Sequence, residues 1–315
     1  MLGLMALFIV GNLAAALSPT YELLLAARVV SAFAHGVFFS IGSTIAADLV
    51  PEDRRASAIA MMFMGLTVAI VTGVPLGTFI GQLFGWRATF WAVSLLGVLA
   101  FVAVAALLPS GLRRGEASSL MDQVRVLGSG RLLIVYGMTA LGYGGTFVAF
   151  TYLSAILQDI TGFTETSVSL LLILYGVVIA IGNIVGGKFA DKNPVRALSI
   201  LFALQAIVLV LFGFAVVSPV ATIIGLAALG FLQFANVPGL QIYVVKLAKI
   251  HRPGGIDVAS ALNIAAFNLG IALGAWVGGH VVSSSLGLAA TPMIGAALVV
   301  IALALTMLSG ALDRQ

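Results

Sequence analysis

The chain has 315 residues, 61% of them hydrophobic and only 8% charged, with a mean hydropathy of +1.19 that no soluble domain of this size carries on its surface. Its 15 Lys and Arg outnumber its 11 Asp and Glu, but nearly all of these cations lie between apolar runs, so they report topology and argue against nucleic-acid binding. There is no cysteine, which excludes disulfides, thiolate chemistry and cysteine-ligated metal. The chain reads as an all-α polytopic membrane protein.

Apolar runs of spanning length fall near 2–17, 22–50, 56–83, 87–108, 131–157, 164–187, 196–216, 219–247, 257–284 and 287–311, which predicts ten transmembrane helices. The first run ends in Ala14, Ala15 and Ala16, small residues like those at a signal-peptide cleavage site, but it lacks a basic leading segment and more spans follow. It therefore reads as a true first helix.

The second run holds Arg28 about two turns inside the span, where an arginine costs roughly 2.5–3.5 kcal/mol. Arg28, Ser31, His35, Phe39 and Gly42 share one helical face. That stripe is expected to face other helices or a water-filled cavity. Arg28 reads either as a buried charge in a coupling or substrate pathway or as an arginine snorkelling to the interface. His35 reads either as a proton relay beside it or as a packing histidine.

The third run begins Ala56-Ser57-Ala58 and places Gly73, Gly77 and Gly81 four apart, with Pro75 between the first two. Proline there removes a backbone donor, and the glycines let a neighbouring helix approach. The ninth run repeats the theme with Ala259-Ser260-Ala261 and Gly270, Gly274 and Gly278, although the two registers differ by six residues. The long polar joint Pro109 to Gly130 suits a linker, with a short interfacial helix around Leu120 to Leu127.

If successive joints alternate sides, one set holds Arg54, Arg55, Arg113, Arg114, Arg125, Arg131, Lys188, Lys192, Arg196, Lys246, Lys249, Arg252 and Arg314. The other holds Arg87 alone. The positive-inside rule then places both termini in the cytoplasm.

Within the last six runs no charge lies at mid-membrane, only polar and aromatic groups. Tyr136, Tyr143 and Phe150 share a face, as do Gln233 and Asn236, while Asn263 and Phe267 share another and Asn268 lies beside them. Tyr175 aligns with Gly182 and Gly186. Tyr143, Tyr175, Gln233, Asn236, Asn263 and Asn268 are the candidate solute-binding residues, because amides and phenols hydrogen-bond neutral polar solutes and rings stack on them. The same groups serve equally well in hydrogen bonds between helices. The three histidines lie far apart, without metal-ligand spacing to an acid, and no phosphate-binding loop is present, so neither metal nor ATP-driven chemistry is indicated.

Four segments stand in a telling order: Arg28 with Ser31, Ala34, His35 and Gly36; Gly73-Val74-Pro75-Leu76-Gly77 followed by Gly85-Trp86-Arg87; Gly187-Lys188-Phe189-Ala190-Asp191-Lys192 leading to Arg196; and NIAAFNLGIALG from Asn263 to Gly274. Together they resemble the major facilitator superfamily, and within it the bacterial sugar-efflux and drug:proton antiporter branch that includes arabinose efflux permeases. In order, they look like the conserved-arginine motif of the fourth helix, the fifth-helix antiporter motif, the Gly-x-Leu-Ala-Asp-Arg loop motif at its second-half position and the eleventh helix of the sugar-efflux members. Ala32 stands where a glycine is usual, and Val74 replaces the second residue of the antiporter motif.

The resemblance covers essentially the whole chain as helices three to twelve of a twelve-helix fold, so ten of an expected twelve are present. It implies a two-lobed bundle: an incomplete N-terminal lobe over 1–108, a cytoplasmic linker over 109–130 and a six-helix C-terminal lobe over 131–315. It implies a monomeric, cofactor-free, non-enzymatic secondary transporter of a bacterial inner membrane, exporting a sugar or drug-like solute in exchange for protons. Gly73, Pro75 and Gly77 would seal the lobe interface. Asp191, Lys192 and Arg196 would form a cytoplasmic gate, with Asp191 facing a helix N-terminus or Arg54 or Arg55; the plainer reading is a solvated basic loop, which leaves Gly186-Gly187 unexplained. The alternative function is a shortened, transport-incompetent form or partner subunit of such a transporter.

Overall fold

The computed structural model describes residues 1–50, 55–107 and 125–314, and every described element is helical. Helices α1 (Leu2–Leu17), α2 (Tyr21–Asp48), α3 (Arg55–Phe84) and α4 (Trp86–Leu107) come first. Helix α5 (Gly130–Phe150) then runs through a short turn, Leu153–Ala155, into a π-helical turn, Ile156–Ile160. Helices α6 (Glu165–Lys192), α7 (Pro194–Ala215), α8 (Pro219–Ala235), α9 (Val237–His251), α10 (Ile256–Val282) and α11 (Thr291–Leu312) complete the chain. Most of the joint expected as a linker with an interfacial helix, Pro109 to Gly130, lies outside the described residues, as does Arg54.

Among the described residues, eight segments are long and apolar enough to cross a bilayer, from Tyr21–Phe39 to Leu288–Leu312. The two expected spans not among them are α1 and α3. Helix α1 is apolar, but its 16 residues extend only about 24 Å, short of a hydrocarbon core of about 30 Å. Helix α3 has 30 residues, and its only charge is Arg55 at its start; part of it carries no described side chains.

The run read as one helix over 219–247 is two. Helix α8 stops at Asn236 and α9 resumes with Pro238 in its first turn, where a ring without an N–H breaks the helical hydrogen-bond ladder. At the joint of α6 and α7, Asn193 Oδ1 accepts from the Arg196 backbone N–H at 3.0 Å, with Pro194 opening α7.

The chain forms two compact units, Met1–Met62 with Thr72–Ala117, and Phe63–Val71 with Ser118–Gln315. In the first, α1 packs on both α2 and α4. Small residues permit this: a Cβ on Gly11 would come within 3.2 Å of the Ala27 carbonyl oxygen, and one on Gly97 within 3.0 Å of Ile9. Arg87 donates to the Ser18 carbonyl oxygen at 2.9 Å and stacks over Trp86, fastening the start of α4 to the end of α1.

In the second unit α5 is central, packed on α10 and α11, while α8 packs on α6 and α7. Backbones nearly touch at these crossings. A Cβ on Gly270 would lie 2.5 Å from the Ala140 carbonyl oxygen, one on Gly144 2.6 Å from that of Gly270, and one on Gly278 2.6 Å from that of Val148. Gly182 and Gly186 likewise face the carbonyls of Phe231 and Ala235, and Gly187 lies against Pro238. The glycine pair Gly186-Gly187 is thereby accounted for by the approach of α6 to α8 and to the start of α9. The Gly270, Gly274 and Gly278 series is a packing seam on α5, whereas a Cβ on Gly73 or Gly77 meets no atom of the described residues within 4 Å.

Candidate functional site

The second unit contains a chain of aromatic rings built from four helices. Tyr143 of α5 contacts Phe147, Phe267 of α10 and Phe234 of α8, with ring centroids 5.0, 5.1 and 5.6 Å apart. Phe147 meets Phe150, which stacks on Tyr175 of α6 at 5.3 Å and 17°. Tyr143, Tyr175, Phe234 and Phe267 are buried, and Phe147 and Phe150 are half-buried. The Tyr175 hydroxyl donates to Gln233 Oε1.

Two polar networks flank the rings. In one, Gln205 of α7 donates to the Gly142 carbonyl oxygen and to Thr146, and accepts from Asn236 Nδ2 at 2.8 Å. In the other, Thr139 donates to Asn263 Oδ1 at 2.7 Å, Asn263 Nδ2 donates to Gln241 Oε1 at 2.9 Å, and Gln241 donates to Ser260. All of these side chains are buried, and each bond joins two helices in a medium that offers no water to replace it. Among the described residues, the amide oxygens Asn236 Oδ1 and Asn183 Oδ1 are buried without a hydrogen-bond partner. An unpaired buried acceptor costs about 1–3 kcal/mol. Asn236 also caps the break between α8 and α9, the kind of discontinuity at which transporters place solute sites.

The structure thus brings Tyr143, Tyr175, Gln233 and Asn236 into neighbouring contacts, with Asn263 in the adjoining network. Asn268 is separate: it is exposed, and its amide bonds the Ile264 carbonyl of its own helix. Thr139, Thr146, Asn183, Gln205 and Gln241 are not candidates in the sequence, and Ser260 stands out there only as part of the Ala-Ser-Ala repeat. Gln205, a lone amide inside the apolar run 196–216, was the available signal.

In the first unit the stripe on α2 divides. Ser31 is buried beneath Gly11, its hydroxyl donating to the Ala27 carbonyl at 3.0 Å. Arg28 and His35 are exposed on the surface of the unit. The Arg28 guanidinium lies over the Phe90 ring at 5.6 Å from its centroid, and His35 contacts Phe39 at 4.9 Å. Asp191, Lys192 and Arg196 are exposed at the α6–α7 turn. The basic partners expected for Asp191 lie outside the described residues in the case of Arg54 and outside the described side chains in the case of Arg55, as does the side chain of Pro75.

A second charged cluster went unread in the sequence. Arg131 at the start of α5 forms an ion pair with Asp313 just after α11. Tyr243 of α9 donates to the other Asp313 oxygen at 2.9 Å and meets Ser309 at 2.6 Å. It ties the start of α5 and the end of α11 to the middle of α9. Asp313→Asn is expected to lower the thermal midpoint without altering the half-saturating solute concentration, as read by unfolding and by flux.

The Major Facilitator Superfamily model matches residues 1–254 and 132–314. The chain belongs to this superfamily. Over its full length it is 53% identical to YtbD, an MFS-type transporter of Bacillus subtilis, covering 79% of that protein. It is 39% identical over 306 residues to the inner membrane transport protein YdhP of Escherichia coli K12, covering 97% of this chain and 77% of YdhP. Among solved structures, the human organic anion transporter MFSD10 superposes with a TM-score of 0.77 at 20% identity, covering 97% of this chain and 76% of that one. The E. coli fucose:proton symporter FucP gives 0.72 at 13%, covering 98% and 82%. At such identities these two carry the fold alone. The superfamily moves small solutes across membranes, so this is a multi-pass membrane transporter and its relatives are named as transporters, not enzymes.

Proposed function

We propose that the chain is a proton-coupled exporter of a small neutral or weakly charged solute, a sugar or drug-like compound, working by alternating access between two lobes. In this reading it spans ten times, has both termini in the cytoplasm of a bacterial inner membrane and acts as a monomer. The observation that carries the solute class is the buried Asn236 Oδ1, left without a donor beside an aromatic chain. A hydroxyl or amine of the solute would supply that donor while its apolar face lies on Tyr143, Phe147 or Phe150. Tyr175, Gln233, Asn263 and Asn268 complete the candidate set. Arg28 and His35 serve coupling, Gly73, Pro75 and Gly77 the seal, and Asp191, Lys192 and Arg196 the gate. Export and antiport rest on the likeness of the Gly73-to-Arg87 and Arg28 segments to antiporter motifs.

The test is flux in vesicles reconstituted with this chain alone, offered labelled sugars and drug-like dyes with an imposed pH gradient. The proposal expects solute to accumulate against its gradient and the accumulation to vanish when the pH gradient is collapsed. Accumulation indifferent to that collapse would contradict it. For a transported solute, Asn236→Ala is expected to raise the half-saturating concentration roughly three- to tenfold, the worth of one hydrogen bond. Asp191→Asn should shift the balance of inward and outward forms. Single cysteines, introduced into a chain that has none, would read this as opposite changes in labelling on the two faces, and unchanged labelling would remove Asp191 from the gate.

A further inference from the structure

Asn183 lies on the buried face of α6, within the stretch where that helix crosses α8. It is 3% exposed, and among the described residues its Oδ1 has no hydrogen-bond partner. Other amides of this chain avoid that state in two ways. Gln205, Gln241 and Asn263 bond to groups on other helices, whereas Asn12 and Asn268 turn back onto the carbonyl four residues earlier, at 2.8 and 2.9 Å. Asn183 does neither, since its Nδ2 bonds neither Ile179 nor any other described residue. A membrane interior offers no bulk water to take up either group, and an amide left open there costs stability.

The position of Asn183 sets it beside the break between α8 and α9. Gly182 lies against the Phe231 carbonyl, Gly186 against that of Ala235 and Gly187 against Pro238. Helices α6 and α8 therefore run side by side in the same direction, and Asn183 falls about one turn short of Asn236 along their axes. Asn236 is itself fully buried with an unpartnered Oδ1, while its Nδ2 is taken by Gln205. Two open acceptors at separate points call for two donors.

Resting on the transport reading above, we propose that Asn183 is a second solute-binding residue. Together with Asn236 it selects a solute that carries two separate O–H or N–H donors, as a sugar does and a drug-like compound with one polar end does not. The Asn183 amide gives up stability in the empty protein and recovers it when the solute donates to Oδ1.

The test has a solute-free arm and a solute arm. In neutral detergent without solute, Asn183→Leu is expected to raise the thermal unfolding midpoint by a few degrees, because an apolar group replaces an unpaired amide. Asn183→Ala, which cannot overpack, should match or exceed the wild type. Gln241→Leu is the contrast: it strands Asn263 and Ser260, and its midpoint should fall. A fall in both Asn183 variants would show that the fold itself pairs this amide and would overturn the proposal. In the vesicle assay a labelled pentose is competed with its mono-O-methyl derivatives. Capping either of two hydroxyls should weaken competition about fivefold in the wild type, one of these losses vanishing in Asn183→Leu and the other in Asn236→Ala. Both losses persisting in Asn183→Leu would overturn the role of Asn183. A midpoint raised by sodium over potassium in the wild type and not in Asn183→Leu would overturn the solute as its occupant. Pentose flux that ignores the pH gradient would count against proton coupling alone, so the two readings fail separately.

Discussion

Replacing Arg28 with Ala is expected to reduce solute flux to background while the protein still reaches the membrane. An arginine within a span costs roughly 2.5–3.5 kcal/mol, and the contact of its guanidinium with the Phe90 ring at 5.6 Å offsets about 0.5–2 kcal/mol. Among the described residues, that leaves a net cost for the charge. Arg28→Lys keeps the charge and loses the flat guanidinium, and intermediate flux is expected. Phe90→Leu removes only the ring contact and should lower stability slightly with flux retained. Near-normal flux in Arg28→Ala would remove Arg28 from the mechanism and leave the snorkelling reading in its place.

The second large effect is expected at the glycine crossings. Ala is favoured over Gly in a helix by about 0.8–1 kcal/mol, so Gly→Ala stabilises where there is room. At Gly144 there is none: the added Cβ would stand 2.6 Å from the Gly270 carbonyl oxygen and 3.0 Å from its Cα. Backbone cannot rotate away as a side-chain tip can. Gly144→Ala is expected to lose at least the roughly 1–3 kcal/mol of an overpacked core, seen as a lower thermal midpoint and less folded protein. Gly73→Ala is the counterpart, since its Cβ meets no atom of the described residues within 4 Å. Its midpoint should hold or rise, and if Gly73 seals the lobes its flux should fall all the same. A Gly73→Ala protein with full stability and full flux would end the sealing role.

How much of this was legible follows from what helical periodicity encodes. Apolar run length placed most spans, because burying a backbone in lipid demands long internally bonded helices. It missed the break at Asn236, since the run stays apolar across it and only Pro238 marks the change. Period also put Arg28, Ser31 and His35 on one face, yet α1 covers Ser31 and not Arg28; which helix covers which turn is a tertiary fact. The amides on α8 and α10 stood out as polar residues in greasy runs. Their partners did not, because Gln205 and Asn236, or Thr139 and Asn263, meet only after distant helices pack. Tyr243 went unread for a related reason. Its partner Asp313 lies beyond the last apolar run, where a carboxylate looks like any solvated tail residue.

The most direct test of proton-coupled exchange is the internal pH of vesicles containing this chain and a trapped pH-sensitive dye, followed as a transported solute is added outside with no pH gradient imposed. The account predicts that solute running down its gradient drives protons the other way, shifting the internal pH in the wild type and leaving it unmoved in Arg28→Ala. Solute flux in the wild type with no movement of protons would contradict it.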